Sequence, residues 1–150
     1  MNEIVRLALE EDIGSGDVTT NACVPADRRA RGRFLAREPL VLAGTTILTQ
    51  LYDDLILRKQ DGDSCADGDI IAEVAGPARQ LLTYERTALN FLQRLSGVAM
   101  MARRFADAVA HTNCKVLDTR RPPPAFASWR KPPQSPAASP TTGWASTTRF

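Results

Sequence analysis

Four stretches of this 150-residue chain carry side chains whose types and spacing can do chemistry. The first is Glu11-Asp12-Ile13-Gly14-Ser15-Gly16-Asp17-Val18-Thr19-Thr20. Three acids and the threonine hydroxyls around two glycines can hold a hard cation or a phosphate. The same residues also fit a helix end and a capped turn, with glycine taking positive φ and aspartate bonding the backbone. Their carboxylate spacing matches no established cation loop, so pattern alone favours the turn. The second is Glu85-Arg86, where an arginine can fork onto a carboxylate ligand as lysine cannot. Without further context, a solvated helix face or an i, i+4 pair is the favoured explanation. The third is Asp118-Thr119-Arg120, at the end of an expected strand, where α/β folds place active groups. An ordinary strand exit is the alternative. The fourth is the lone His111, which fits a helix C-cap better than a ligand or catalytic role.

The elements that position these residues follow from periodicity. Residues 2–12 predict a short amphipathic helix stopped at Gly14, with residues 14–25 a loop closed by Pro25. Residues 31–38 predict a strand, with 40–43 continuing the sheet after Pro39; 55–60 and 69–75 predict two more. Between them, DGDSCADG is rich in turn residues. Gly44 to about Asp54 reads as a helix. The clearest helix runs from Thr83 to about Gly97, its stripe formed by Ala88, Phe91, Leu92, Leu95, Val98 and Ala99. A second helix reaches about Ala110, and Cys114–Leu117 predicts a strand ending at 118–120. The fold class is α+β.

Composition bounds the answer. The length excludes a complete (β/α)₈ barrel, which needs roughly 250 residues. A net charge of +2 does not argue for nucleic acid, and no apolar run approaches a membrane span. Three widely spaced cysteines without a C-x-x-C pair favour a reduced, cytoplasmic setting. The averages hide a boundary after Arg120. Residues 1–120 hold 15 Lys+Arg against 17 Asp+Glu; residues 121–150 hold no acid, no Leu, Ile, Val or Met, and seven of the ten prolines. Such a segment cannot offset its chain entropy by burial, and it reads as a disordered tail. A Pro-rich ligand for a recognition domain is the functional alternative.

In combination the segments are specific. LALEEDIGSGDVTT (7–20), PLVLAG (39–44), ERTALNFLQRLSGVA (85–99) and VLDTR (116–120) follow in that order. Together they closely resemble the quinolinate phosphoribosyltransferase family (nicotinate-nucleotide pyrophosphorylase, carboxylating). The resemblance implies an α/β sandwich domain over 1–112, then over 113–120 the first strand of an incomplete, TIM-like α/β barrel. It implies conversion of quinolinate and phosphoribosyl pyrophosphate to nicotinate mononucleotide, pyrophosphate and CO₂ with Mg²⁺, in NAD synthesis. It also implies a homodimer or higher oligomer whose sites are shared between subunits. Arg86 corresponds to the arginine that the sandwich domain lends to the neighbour's quinolinate site. Thr119 and Arg120 match the start of the family's T-R-K-T-T-P-G motif. Two adjacent carboxylates on quinolinate call for forked, permanently charged donors, which fits these residues. The resemblance names no catalytic residue and no metal ligand within this chain.

The family pattern stops at Arg120. Arg121 stands where lysine is expected, and Pro122-Pro123-Pro124 follow. A one-base frameshift accounts for the change. Back-translating the tail and restoring one A yields R-K-T-T-P-G-L-R-V-L-E-K. The restored frame then reads AAAVAGGVTNHRMGLYDAV, with third-position bases as the free choice. On this reading the 121–150 tail is out of frame, the Mg²⁺ ligands are missing, and the chain alone is inactive. There are two other readings, one within the enzymes and one from a different class. One is the molybdenum-transport-associated paralogue, against which R-T-A-L-N and E-D-I-G-x-G-D weigh. The other is a biotinyl or lipoyl carrier, suggested by DGDSCADGDIIAEVAGP, whose only nearby lysine is Lys59 in an expected strand.

Overall fold

The structure is a computed structural model that describes residues 1–117. Residues Met1–Met100 form one compact unit and a second begins at Met101; each is described by itself. The first helix, α1 (Glu3–Ile13), starts where the Asn2 side chain accepts from the Ile4 N–H at 3.3 Å. Arg6 bridges Glu3 and Glu10 along its solvent side. The helix ends at Gly14, whose φ of 53° lets its N–H reach Glu10 O at 3.0 Å. The expected loop over 14–25 contains a short helix, α2 (Val18–Cys23), because Asp17 caps it.

Three antiparallel strands build the main sheet: β1 (Arg29–Leu35), β3 (Asp54–Leu57) and β5 (Ile70–Pro77), in the order β1-β5-β3. Phe34 pairs with Ala72 and Gly32 with Val74, so alternate residues point inward, while Arg29, Arg31 and Arg33 lie exposed between them. Residues 40–43 do not extend this sheet. Instead β2 (Leu40–Val41) pairs with β4 (Ser64–Cys65) in a separate two-stranded sheet. Pro39, which lacks an N–H, and the turn-rich 61–69 segment favour that small ladder. The helix α3 (Thr45–Leu51) buries Ile47, Leu48 and Leu51, and α1 buries Val5 and Leu9. Tyr52 packs its ring against Phe34 and Tyr84, with centroids 5.8 and 6.4 Å apart.

The two helices expected over 83–110 are one. α4 runs unbroken over Ala78–Ala108. Gly97 does not interrupt it, since a helical glycine costs only about 1 kcal/mol against alanine and no proline breaks the ladder. In the second unit the chain leaves α4 through a turn, with Thr112 N–H on Val109 O at 2.9 Å. His111 lies exposed in that turn. The strand expected over 113–120 is not formed across its described part, Cys114–Leu117. A parallel barrel strand needs hydrogen-bonded neighbours on both sides, and the described residues provide none.

Candidate functional site

The site is assembled by one face of α4 against the turn that follows α1. Arg79, Thr83 and Thr87 lie four residues apart and therefore on one face of the helix. Arg79 donates through Nε to Val24 O at 2.8 Å and through Nη2 to Asn21 O at 3.0 Å, closing the C-terminal carbonyls of α2. One turn further, Thr83 faces Asp17 and adds a small share to holding its carboxyl low. Another turn on, Thr87 Oγ1 donates to Asp12 Oδ2 at 3.1 Å. The 12–24 segment is thus tied at both ends, at Asp12 by Thr87 and at Asn21 and Val24 by Arg79, from a single helix.

Asp17 is fully engaged in this arrangement. It accepts from the Thr20 N–H at 2.9 Å and from the Thr20 hydroxyl. These bonds, the Thr20 hydroxyl first, hold its carboxyl below the usual carboxylate range. The capped turn favoured by the sequence pattern is therefore present.

Arg86 sits on the edge of that face. Its Nη1 lies 3.6 Å from Asp12 Oδ1, and its side chain is 78% exposed against 23% for Asp12. A hollow of about 300 Å³ opens here, between the Asp12–Val18 turn and Leu82, Thr83 and Arg86. Val18 and Leu82 leave apolar surface open to solvent at its rim. The guanidinium can fork onto a carboxylate at the mouth of this hollow, which Asp12, Asp17 and Thr83 line together with Val18 and Leu82. The sequence stretches Glu11–Thr20 and Glu85-Arg86 are thereby brought together, whereas the i, i+4 pairing considered for Arg86 is replaced by Asp12. Periodicity alone missed Arg79, Thr83 and Thr87, although their four-residue spacing beside the apolar stripe was visible.

A larger depression, about 670 Å³, lies on the open sheet face among Arg31, Arg33, Asp54, Ile56 and Glu73. Its central acid is already engaged: Glu73 takes Arg58 at 2.6 Å and Arg33 at 3.4 Å. Lys59 follows β3 and holds Asp69 at 3.0 Å, with its own N–H on Ile71 O, so it is not the free hairpin tip a carrier domain presents. Among the described residues no three His, Cys, Asp or Glu side chains come together to hold a metal ion. No helix of the described residues is long and apolar enough to cross a membrane. Asp118, Thr119, Arg120 and Arg121, and the 121–150 tail, lie outside the described residues.

Comparison with known proteins places these features in context. A family model described as "Quinolinate phosphoribosyl transferase, N-terminal domain" matches residues 17–96. The chain is 36% identical over 138 residues to nicotinate-nucleotide pyrophosphorylase (carboxylating) of Mycobacterium leprae, covering 86% of this chain and 49% of that protein. A probable nicotinate-nucleotide pyrophosphorylase (carboxylating) of Bacillus subtilis is 35% identical, covering 81% and 44%. The crystal structure of nicotinate-nucleotide pyrophosphorylase from Ehrlichia chaffeensis superposes with a TM-score of 0.77 at 34% identity, covering 83% and 47%. The chain spans about half the length of the relatives it matches.

Proposed function

Because the chain belongs to the quinolinate phosphoribosyl transferase family, of which it carries the N-terminal domain, we propose that it supplies the Arg86 half of a quinolinate-binding site. The full reaction would be transfer of the phosphoribosyl group from phosphoribosyl pyrophosphate to the ring nitrogen, with release of pyrophosphate and CO₂. Mg²⁺ enters this reading only through the family resemblance. The observation that carries the proposal is the exposed Arg86 guanidinium at the edge of a hollow walled by Leu82 and Val18. A forked donor fits one carboxylate of quinolinate, and the apolar rim fits its ring. Thr119 and Arg120, with Arg121 where lysine is expected, would donate to the site that a second subunit's Arg86 completes. A homodimer in the cytoplasm is the corresponding assembly and location. The out-of-frame reading of 121–150 makes this chain alone inactive in transfer, and sequencing the gene across codon 121 tests it.

The half-site reading is tested by titrating quinolinate into isotope-labelled protein, up to millimolar concentration. The Arg86 side-chain N–H resonances and the Val18 and Leu82 methyls should shift together. Arg86→Lys should lose most of the response, since an ammonium cannot fork. Unmoved Arg86 resonances, or equal binding by the lysine variant, would overturn the assignment.

A further inference from the structure

This inference rests on the reading of Arg86 as a carboxylate-binding residue and deepens it. The two oxygens of Asp12 have different tasks. Oδ2 accepts from the hydroxyl of Thr87, a buried residue of α4, while Oδ1 faces the Arg86 guanidinium at 3.6 Å. The carboxylate is anchored from beneath, and its side chain is 23% exposed against 78% for the arginine. The acid is therefore the fixed member of the pair and the arginine the movable one. Among the described residues no other carboxylate pairs with Arg86, and Asp17 is engaged by Thr20 and Thr83.

We propose that Asp12 is a positioning residue that parks Arg86 over the hollow and yields the guanidinium to an incoming carboxylate. At 3.6 Å the pair is an ion pair without a close hydrogen bond. Exposed pairs of this kind are weak, so exchange for a forked ligand carboxylate is favourable. A positioning aspartate also opposes the ligand by like charge. This sets a sign opposite to that of simple structural damage.

Asp12→Asn retains an oxygen for Thr87 and removes the charge. In the same quinolinate titration its Kd should fall about threefold relative to the wild type, the scale of one exposed charge pair. The ligand-free Arg86 side chain should also become more mobile by nitrogen relaxation. An unchanged or raised Kd in a folded Asp12→Asn protein would overturn the proposal while leaving Arg86 as the binding residue. A wild-type protein whose Arg86 resonances ignore quinolinate would remove the half-site reading and this inference together. If the asparagine variant does not fold, the wild-type carboxylate-carbon resonances decide. Asp12 should shift with Arg86 on ligand addition and Asp17 should not; a stationary Asp12 beside a shifting Arg86 overturns the proposal.

Discussion

Ser96 and Ala43, 53 residues apart, bond each other twice: the Ala43 N–H donates to Ser96 Oγ at 3.1 Å, and Ser96 Oγ donates to Ala43 O at 3.4 Å. Ser96 is buried within α4, and Ala43 precedes Gly44, the N-cap of α3. One hydroxyl thus satisfies both backbone groups of a residue that belongs to neither β2 nor α3. The pair locks the PLVLAG segment onto the RLSG turn of the long helix.

Ser96→Ala should therefore destabilise the chain by about 1–3 kcal/mol, because both Ala43 backbone groups lose their partner. Urea unfolding with an unchanged slope and a lower midpoint would show it. An unshifted midpoint would mean that water replaces the hydroxyl.

Gly44→Ala should cost a similar amount for a different reason. Gly44 has φ 98°, and an added Cβ would stand 2.7 Å from Leu95 Cδ1 and 3.5 Å from Leu95 Cβ. The left-handed backbone alone penalises alanine by about 1–2 kcal/mol, and the contact forces Leu95 to shift. Combining the substitution with Leu95→Ala separates the two contributions. Relief by the second substitution, measured as a double-mutant cycle, assigns the loss to crowding. A fully additive cycle assigns it to the backbone.

Tyr52 gives the stability a base-side limit. Burial first, then the charge of Glu85, pushes its phenol up to about 12 from an ordinary 10.0. The folded chain therefore holds a proton that the unfolded chain releases as pH rises past 10.0. Its contribution is fully present below that pH and is lost on the way to about 12. A rise of that size corresponds to about 2–3 kcal/mol. Tyr52→Phe should flatten this alkaline limb in unfolding curves taken at stepped pH. An equal slope in both proteins would place the proton release elsewhere.

Much of the fold was legible along the chain. The helix over 2–12 and its stop at Gly14 are local events, decided by a cap, an apolar stripe and a residue tolerant of positive φ. The strands near 31–38, 55–60 and 69–75 were visible as alternation, with ends displaced by a few residues. The partner of Leu40–Val41 was not visible. Two-residue strands carry no period, and which ladder they join depends on where the 61–69 turns bring Ser64 and Cys65. The continuity of α4 through Gly97 was hidden for a related reason, since a single glycine weakens a helix without specifying its end.

The sequence by itself determined the family of this chain, because an ordered set of motifs reports shared ancestry without any coordinates. It also determined that Arg86 is a permanently charged fork on a helix. Only the tertiary structure decided what that fork faces. Asp12 and Thr87 are 75 residues apart, and Arg79, Thr83 and Thr87 gain their roles when α4 lies along the turn after α1. Hydrogen bonds of that kind leave no periodic trace, since each depends on a helix face meeting a loop whose sequence is read independently. The chemistry of a side chain is written in its own residue, and its partner is written in the fold.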